Sequence, residues 1–233
     1  MDRQLLYLHG FASSPGSNKA QRFAEALAAR GQPVQIPDLN EGDFRGLTLS
    51  RQLGLLERLT DGGAPGSVVL IGSSMGAYVA ALFAERSERV AALVLMAPAF
   101  DFFNRWGERL SADAQDLWRR RGAIPMLHHG SGQPAEIGFE LLVDARRYPS
   151  FPAVQVPTLI FHGRADESVP CAGSVEFARR CPTAELVLLD SDHGLGDQVE
   201  PIIERSFAFL APYLPRLDGA ALDGAAHDAQ EAR

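Results

Sequence analysis

Hydrophobic residues follow two alternating patterns along most of the chain. Short aliphatic and β-branched runs, ended by glycine, proline or polar turns, predict buried strands over residues 4–9, 34–36, 68–71, 90–96, 156–163 and 185–189. Apolar residues spaced three and four apart predict helices over residues 18–27, 45–60, 171–180 and 197–213, and an alanine-rich helix follows residue 76. Buried strands that alternate with helices predict an α/β fold, with a mostly parallel sheet covered by helices on both faces.

The regular alternation stops between residues 100 and 151. This segment is rich in arginine, glycine and aromatic residues, and it contains helix-like pieces near residues 111–121 and 136–147. In the first piece, Ser111 is the expected N-cap, and Leu117 and Trp118 are expected to face inward. An insertion of this length between two core strands predicts a small helical cap on one domain of residues 1–214.

The last residues have a different composition. Residues 217–226 contain a duplicated five-residue unit with few large apolar side chains. Such a segment has little surface to bury, so residues 215–233 are expected to form a flexible tail.

Length, charge and composition narrow the class of protein. A chain of 233 residues with 46% hydrophobic and 22% charged residues is typical of one soluble domain. A net charge of −7 argues against a nucleic-acid partner, since phosphate binding requires a basic face. The sequence lacks an apolar run of transmembrane length and a secretory signal at its start. We therefore expect a protein with no membrane span that is cytoplasmic, or that lies in an organelle reached by a removed leader.

The segment from Val68 to Leu82 contains the strongest chemical signal. Its strand ends at Gly72-Ser73-Ser74-Met75-Gly76, which fits G-x-S-x-G, the nucleophile elbow that joins a strand to a helix. The flanking glycines are required because side chains there would collide with the neighbouring strand and helix. Five small residues also fit an ordinary turn, but the strand and helix around them favour Ser74 as a nucleophile.

A serine nucleophile needs a histidine base that a carboxylate orients. His193 follows the last predicted strand, and Asp166 follows the strand before it. Parallel strands bring both residues to the same sheet edge as Ser74, where ligands bind in such sheets. The chain therefore predicts a Ser-His-Asp triad of Ser74, His193 and Asp166.

Other residues compete for these roles. Glu167, Asp190 and Asp192 lie near the two candidates in sequence; Asp192 is expected to shape the loop of His193, and Asp101 is an alternative acid after the strand at 90–96. Of the other histidines, His128 and His129 are expected at the surface, and His9 and His162 are expected to bond to loop backbone. Cys171 and Cys181 are expected to stay thiols, and neither a metal site nor a cofactor is predicted.

A tetrahedral intermediate needs two preorganised donors for its oxyanion. The backbone N–H of Met75, directly after the nucleophile, is one candidate, and that of Phe11, after the first strand, is the other. Large apolar residues of the cap either line an acyl pocket or pack the cap on the core, namely Phe102, Phe103, Trp106, Trp118 and Met126.

Together these motifs resemble the α/β-hydrolase superfamily. The segment from His9 to Ala20, the elbow at residues 72–76, His162-Gly163-Arg164-Ala165-Asp166 with Val169-Pro170, and Asp192-His193 are similar to small bacterial YqiA-like esterases. They also resemble the mammalian depalmitoylase and acyl-glucuronide esterase branch. The resemblance spans residues 4–213. It implies a minimal sheet of about six strands, the same triad and the same oxyanion donors, and it is weakest in the cap.

The leading hypothesis is a serine carboxylesterase that acts on a small-molecule ester through an acyl-enzyme. An acyl-thioesterase is the close alternative, because the same triad cleaves both bonds. A peptidase is less favoured, and Ser74 excludes the usual dehalogenase, which has aspartate at the elbow. A non-catalytic binding protein on the same fold would be expected to lack one triad residue. The sequence does not indicate an oligomeric state.

Overall fold

The computed structural model describes residues 3–217, apart from the side chains of residues 107 and 108. In chain order its strands are β1 (Gln4–Leu8), β2 (Val68–Ser73), β3 (Val90–Met96), β4 (Ala123–His128), β5 (Gln133–Gly138), β6 (Thr158–Gly163) and β7 (Ala184–Leu189). Within residues 3–217, five of these strands form one parallel sheet in the order β1-β2-β3-β6-β7. Strands β4 and β5 form a separate antiparallel hairpin.

The helices follow the predicted alternation with small shifts of their ends. They are α1 (Asn18–Ala28), α2 (Leu49–Leu59), α3 (Met75–Arg86), α4 (Phe102–Arg109), α5 (Ala112–Arg121), α6 (Glu140–Ala145), α7 (Ala172–Arg180) and α8 (Val199–Leu210). Short 3-10 turns lie at Gly196–Gln198 and Pro215–Leu217.

Two hydrophobic layers cover the two faces of the sheet. On one face, Phe23 of α1 and Phe207 of α8 pack with Tyr7 of β1 in one buried cluster. On the other face, α2, α3 and α7 pack on the sheet, and α3 is buried along most of its length. Because strand side chains alternate, successive residues of β2 join opposite layers. The predicted α/β class with helices on both faces is confirmed.

The predicted strand at residues 34–36 is reduced to an isolated bridge. Gln35 pairs in parallel with Leu6 beside β1, through two backbone hydrogen bonds of 2.9 Å. Pro33 and Pro37 flank this bridge and have no N–H to donate, so the pairing cannot extend. The bridge occupies the position of the sixth strand in the predicted sheet.

The cap contains a hairpin that the sequence analysis missed. The second helix-like piece, near residues 136–147, is in fact the end of β5 followed by the short helix α6. In the sequence, Pro125 and Pro134 argue against strands at these positions, since proline is unfavourable inside a sheet. A two-stranded hairpin has edges on both sides, so its strands tolerate proline.

The helix of the cap near residues 111–121 has the predicted start. The Ser111 hydroxyl accepts a hydrogen bond from the backbone N–H of Ala114, at 3.2 Å. Trp118 is fully buried, but Leu117 is 39% exposed, so the prediction that both face inward was wrong. Adjacent residues on a helix project in directions about 100° apart, and in this helix Trp118 points to the core while Leu117 points away from it.

Residues 215–217, the first part of the predicted tail, pack on the core. They form a 3-10 turn in which Leu217 is buried with the cluster around α8. Residues 218–233, which make up the rest of that tail, lie outside the described residues. Within residues 3–217, every helix is too short or too polar to cross a lipid bilayer.

Candidate active site

Ser74 lies between β2 and α3 in a strained backbone conformation. Its φ of 53° and ψ of −116° fall outside the regions that residues other than glycine usually adopt. A Cβ at Gly72 would lie 2.5 Å from the Cα of Ala77, and a Cβ at Gly76 would lie 2.3 Å from the carbonyl oxygen of Leu8. Both distances are too short for real contacts, so the elbow requires glycine on each side of the turn.

The loops after β6 and β7 bring two predicted partners to Ser74. The Oγ of Ser74 lies 3.1 Å from Nε2 of His193, and Nδ1 of His193 lies 2.7 Å from Oδ2 of Asp166. The Asp166 side chain is 0% exposed and the His193 side chain 31% exposed. This chain of contacts has the order that the sequence predicts for a nucleophile, a base and an orienting acid.

Hydrogen bonds keep the buried Asp166 ionised. Burial alone would raise the pKa of its carboxyl group, because a charge is poorly solvated there. Hydrogen bonds from His162, His193 and the backbone N–H of Val169 outweigh burial and hold the pKa of Asp166 well below its usual range. The carboxylate is therefore charged at neutral pH.

The loop that carries His193 has contacts at both ends. The carboxylate of Asp192 accepts hydrogen bonds from the backbone N–H groups of Gly194 and Leu195, at 2.8 and 3.2 Å. A Cβ at Gly163 would lie 2.3 Å from the carbonyl oxygen of Ser191, so β6 and this loop approach closely. Asp192 thus shapes the loop, as the sequence analysis expected.

The other carboxylates considered from sequence have different contacts. Asp190 is 95% exposed and pairs with Arg164. Asp101 accepts hydrogen bonds from Ser150 and Asn104. The exposed Glu167 offers its backbone carbonyl to Arg109, at 2.8 Å. Within the described residues, Asp166 is the carboxylate of this set that contacts His193.

The loop after β1 lies directly against the elbow. A Cβ at Gly10 would be 3.3 Å from the Cβ of Ser74, so Gly10 leaves room for the serine. Phe11 and Met75, the two predicted oxyanion donors, line the same cavity as Ser74 and His193. Their assignment as donors remains a prediction.

A cavity of about 430 Å³ opens at Ser74. Three of the predicted pocket residues line it, namely Phe102, Trp106 and Met126. Phe103 and Trp118 do not, which corrects the sequence-based set. The Trp118 indole N–H donates to the carbonyl oxygen of Ile137 at 3.0 Å inside the cap, and the Phe103 ring packs under the guanidinium of Arg146.

Three polar residues of the cap also line the cavity and were missed from sequence. Arg105 and Arg109 reach it from α4, and their guanidinium groups donate to the carbonyl oxygens of Ser168 and Glu167, at 3.0 and 2.8 Å. His129, which the sequence analysis placed at the surface, is exposed and lies at the cavity wall. The four-residue spacing of the two arginines is a signal that both project from one helix face.

Three further histidines of the described chain make defined contacts. His9 is buried, its Nε2 accepts from the backbone N–H of Leu39 at 3.1 Å, and burial lowers its pKa. His128 contacts Ser131 in the hairpin turn. His162 contacts loop backbone and Asp166. In the part of the chain that the structure describes, histidine, cysteine and carboxylate side chains form no group of three that could hold a metal ion.

The sequence matches a known family over most of its length. Residues 4–211 match the family described as "Uncharacterised protein family (UPF0227)". No curated protein matches the sequence.

Solved structures with the same architecture come from several organisms. Alpha/beta hydrolase domain-containing protein 10 from mouse superposes with a TM-score of 0.75 at 22% identity, over 90% of both chains. Est1E from Butyrivibrio proteoclasticus, solved with bound ferulic acid, has a TM-score of 0.74 at 19% identity, over 91% of this chain and 89% of its own. The esterase domain of a Rhodothermus marinus protein has a TM-score of 0.64 at 19% identity, over 90% and 87%. At these identities the likeness establishes the fold.

Proposed function

Since this chain belongs to the UPF0227 family and has the α/β-hydrolase fold, we propose that it is a serine hydrolase that cleaves carboxylic esters through an acyl-enzyme. One observation carries the proposal. Ser74, His193 and Asp166 form a continuous chain of hydrogen bonds, with distances of 3.1 and 2.7 Å between successive side chains. Such an arrangement activates a hydroxyl group as a nucleophile.

In the first half of the reaction, Ser74 Oγ attacks the carbonyl carbon of the ester. Its proton passes to Nε2 of His193, and Asp166 stabilises the resulting imidazolium. The alcohol departs with the proton that His193 returns, which leaves an acyl group on Ser74. A water molecule then attacks the acyl group while His193 takes its proton. His193 gives this proton to Ser74 Oγ as the bond between Oγ and the acyl carbon breaks, and the carboxylic acid leaves.

The negative oxygen of each tetrahedral intermediate needs donors that are already in place. The backbone N–H groups of Met75 and Phe11 fit this role, because both residues line the cavity beside Ser74. Met75 is also the first residue of α3, whose N-terminal end favours negative charge.

The residues of the cavity wall favour a substrate ester with an apolar acyl group. Phe11, Phe102, Trp106 and Met126 supply apolar surface around Ser74. A thioester with the same acyl group would contact the same residues of the cavity wall. Kinetic measurements are therefore needed to distinguish an esterase from a thioesterase.

The test is hydrolysis of matched p-nitrophenyl esters and acyl-thioesters, from acetyl to palmitoyl, by wild type, Ser74→Ala and Ser73→Ala. Ser73 is the matched control, since it is the adjacent serine on β2 and has no place in the mechanism. We expect Ser74→Ala to lower kcat by a factor on the order of 10⁶, and Ser73→Ala to remain active.

Each outcome decides a different point. Activity that survives in Ser74→Ala would refute the nucleophile. Preference for sulfur over oxygen leaving groups would make the protein a thioesterase with the same triad. No turnover of any substrate, together with no labelling of Ser74 by a fluorophosphonate, would favour a binding protein.

A further inference from the structure

His162, at the end of β6, lies against the buried acid of the candidate triad. Its side chain is 0% exposed, and its Nε2 lies 3.1 Å from Oδ2 of Asp166. The same oxygen lies 2.7 Å from Nδ1 of His193. One carboxylate oxygen thus contacts two imidazole rings, and the mechanism above uses one of them.

The surroundings of His162 determine where its proton lies. Nε2 faces two acceptors, Oδ2 of Asp166 at 3.1 Å and the carbonyl oxygen of Val169 at 2.7 Å, so it carries the hydrogen. Nδ1 is then the acceptor, and the hydroxyl of Ser174 on α7 donates to it at 2.7 Å. Ser174 is also fully buried. Both ring nitrogens are therefore paired, and the ring is fixed in one tautomer.

These contacts fix both oxygens of the Asp166 carboxylate. Oδ1 accepts a hydrogen bond from the backbone N–H of Val169 at 2.6 Å, and Oδ2 accepts from His162 and His193. Without the donor on His162, only Val169 and His193 would hold the carboxylate, and the carbonyl oxygen of Val169 would lose its partner. Residues 168 and 169 line the cavity, so the same contacts also hold part of the cavity wall.

We propose that His162, held in place by Ser174, is a positioning residue that aligns Oδ2 of Asp166 with Nδ1–H of His193. The proposal rests on the proposed hydrolase function. His162 does not line the cavity, so it acts on the reaction only through the groups it contacts, Asp166 and Val169.

Charged groups from other elements also act on Asp166 or its loop. Lys19 of α1 lies close enough to interact with the carboxylate electrostatically. Arg105 and Arg109 of α4 donate to carbonyl oxygens in the loop after Asp166. A comparison between variants of residue 162 leaves all of these groups unchanged.

Two substitutions of His162 separate its two hydrogen bonds. The amide of His162→Gln places N–H donors near the position of Nε2, toward Asp166 and Val169. The amide of His162→Asn lies near the position of Nδ1, so it reaches Ser174 and loses the donor toward Asp166. Both variants are polar and smaller than histidine, which makes them matched controls for loss of packing.

We expect His162→Gln to keep most of the wild-type kcat and His162→Asn to lose about 10- to 100-fold, with the loss in kcat larger than any change in KM. With one donor fewer, the Asp166 carboxylate is held less firmly against His193. Ser174→Ala, a smaller change, lowers kcat by a lesser amount.

Equal losses in His162→Gln and His162→Asn would overturn the proposal, because packing alone would then explain them. A wild-type kcat in Ser174→Ala would also overturn it, and this variant decides the matter if His162→Asn does not fold. Both results require an active wild type and an inactive Ser74→Ala. They are therefore distinct from failure of the hydrolase function, in which the wild type itself hydrolyses none of the substrates.

Discussion

The proposed chemistry requires an unusual backbone conformation at Ser74. Its positive φ and extended negative ψ cost free energy, on the order of 1–3 kcal/mol for a residue with a side chain. The buried strand before it and the buried helix after it hold this conformation. In this conformation the Ser74 hydroxyl lies 3.1 Å from Nε2 of His193, so stability is lost at the position of the proposed nucleophile.

Replacement of Ser74 by glycine should stabilise the protein while it abolishes hydrolysis. Glycine adopts the required φ without strain, although it loses more backbone entropy on folding. We expect the free energy of unfolding of Ser74→Gly to exceed that of Ser74→Ala by about 1 kcal/mol. Both variants lack the hydroxyl group, so urea unfolding of the pair isolates the backbone effect. Equal or greater stability of Ser74→Ala would mean that the elbow is not strained.

Single residues were predicted well where the signal is local. The spacing of Gly72, Ser74 and Gly76 specifies the elbow because each glycine avoids a contact within this turn or with the adjacent strand. Phe103 and Trp118 were assigned to the pocket incorrectly, because hydrophobicity does not tell a cavity wall from a packed cap.

At the scale of elements, Lys19 joins α1 to the loop after β7. Its Nζ donates to the carbonyl oxygen of Gly194 at 2.7 Å, next to His193 and 175 residues away along the chain. Burial lowers the pKa of Lys19 to about 8, while the charges of Asp192 and Asp166 oppose this shift. The amine thus holds the loop of the candidate base in place from the neighbouring helix.

Lys19 is the single lysine of the chain, so its titration can be measured directly. Protein labelled with ¹³C-lysine should give one side-chain signal that titrates near pH 8 in the folded state, against 10.5 for an ordinary lysine. Between these values the unfolded chain binds more protons, so the contribution of Lys19 to the free energy of unfolding increases with pH. In Lys19→Met this contribution is absent.

Two results would contradict this interpretation of Lys19. One is a titration of the folded protein near 10.5, as in the urea-unfolded control. The other is a stability difference between wild type and Lys19→Met that stays constant from pH 7 to pH 10.

The hairpin of the cap shows that hydrophobic periodicity alone does not identify every strand. Residues 123–138 have one proline in each strand, and their polar and apolar positions do not fit a regular period. Its turn touches the loop after β1, where the N–H of Gly130 donates to the carbonyl oxygen of Ala12 at 3.2 Å. Contacts with the core and between the two strands, more than propensity, stabilise this element.

At the scale of the whole molecule, the cap and the sheet edge enclose the cavity together. The Trp106 ring of the cap packs edge-on against Phe11 of the β1 loop, with centroids 5.7 Å apart. Met126 reaches the cavity from the hairpin. The packing of the cap on the core therefore defines the space that is available to an acyl group.

Truncation of Met126 to alanine should favour longer acyl chains. The lost side chain leaves room for added methylene groups, each worth about 0.8 kcal/mol, or about fourfold in kcat/KM, when buried. We expect the ratio of octanoyl to butyryl ester hydrolysis to rise several-fold. Leu117→Ala is the matched control, because Leu117 is an exposed cap residue that does not line the cavity. An unchanged ratio in Met126→Ala would place the acyl group elsewhere.

The sequence by itself determined the type and order of most core elements, the sheet edge at which the candidate triad lies and the elbow at Ser74. These features depend on the spacing of residues that are neighbours in the chain, where hydrophobic period and glycine sterics act. Only the tertiary structure decided that Lys19 reaches the loop of His193 and which aromatic residues face the cavity. Those contacts arise when parallel strands and the cap bring distant segments together, and the local spacing of residues along the chain does not encode them.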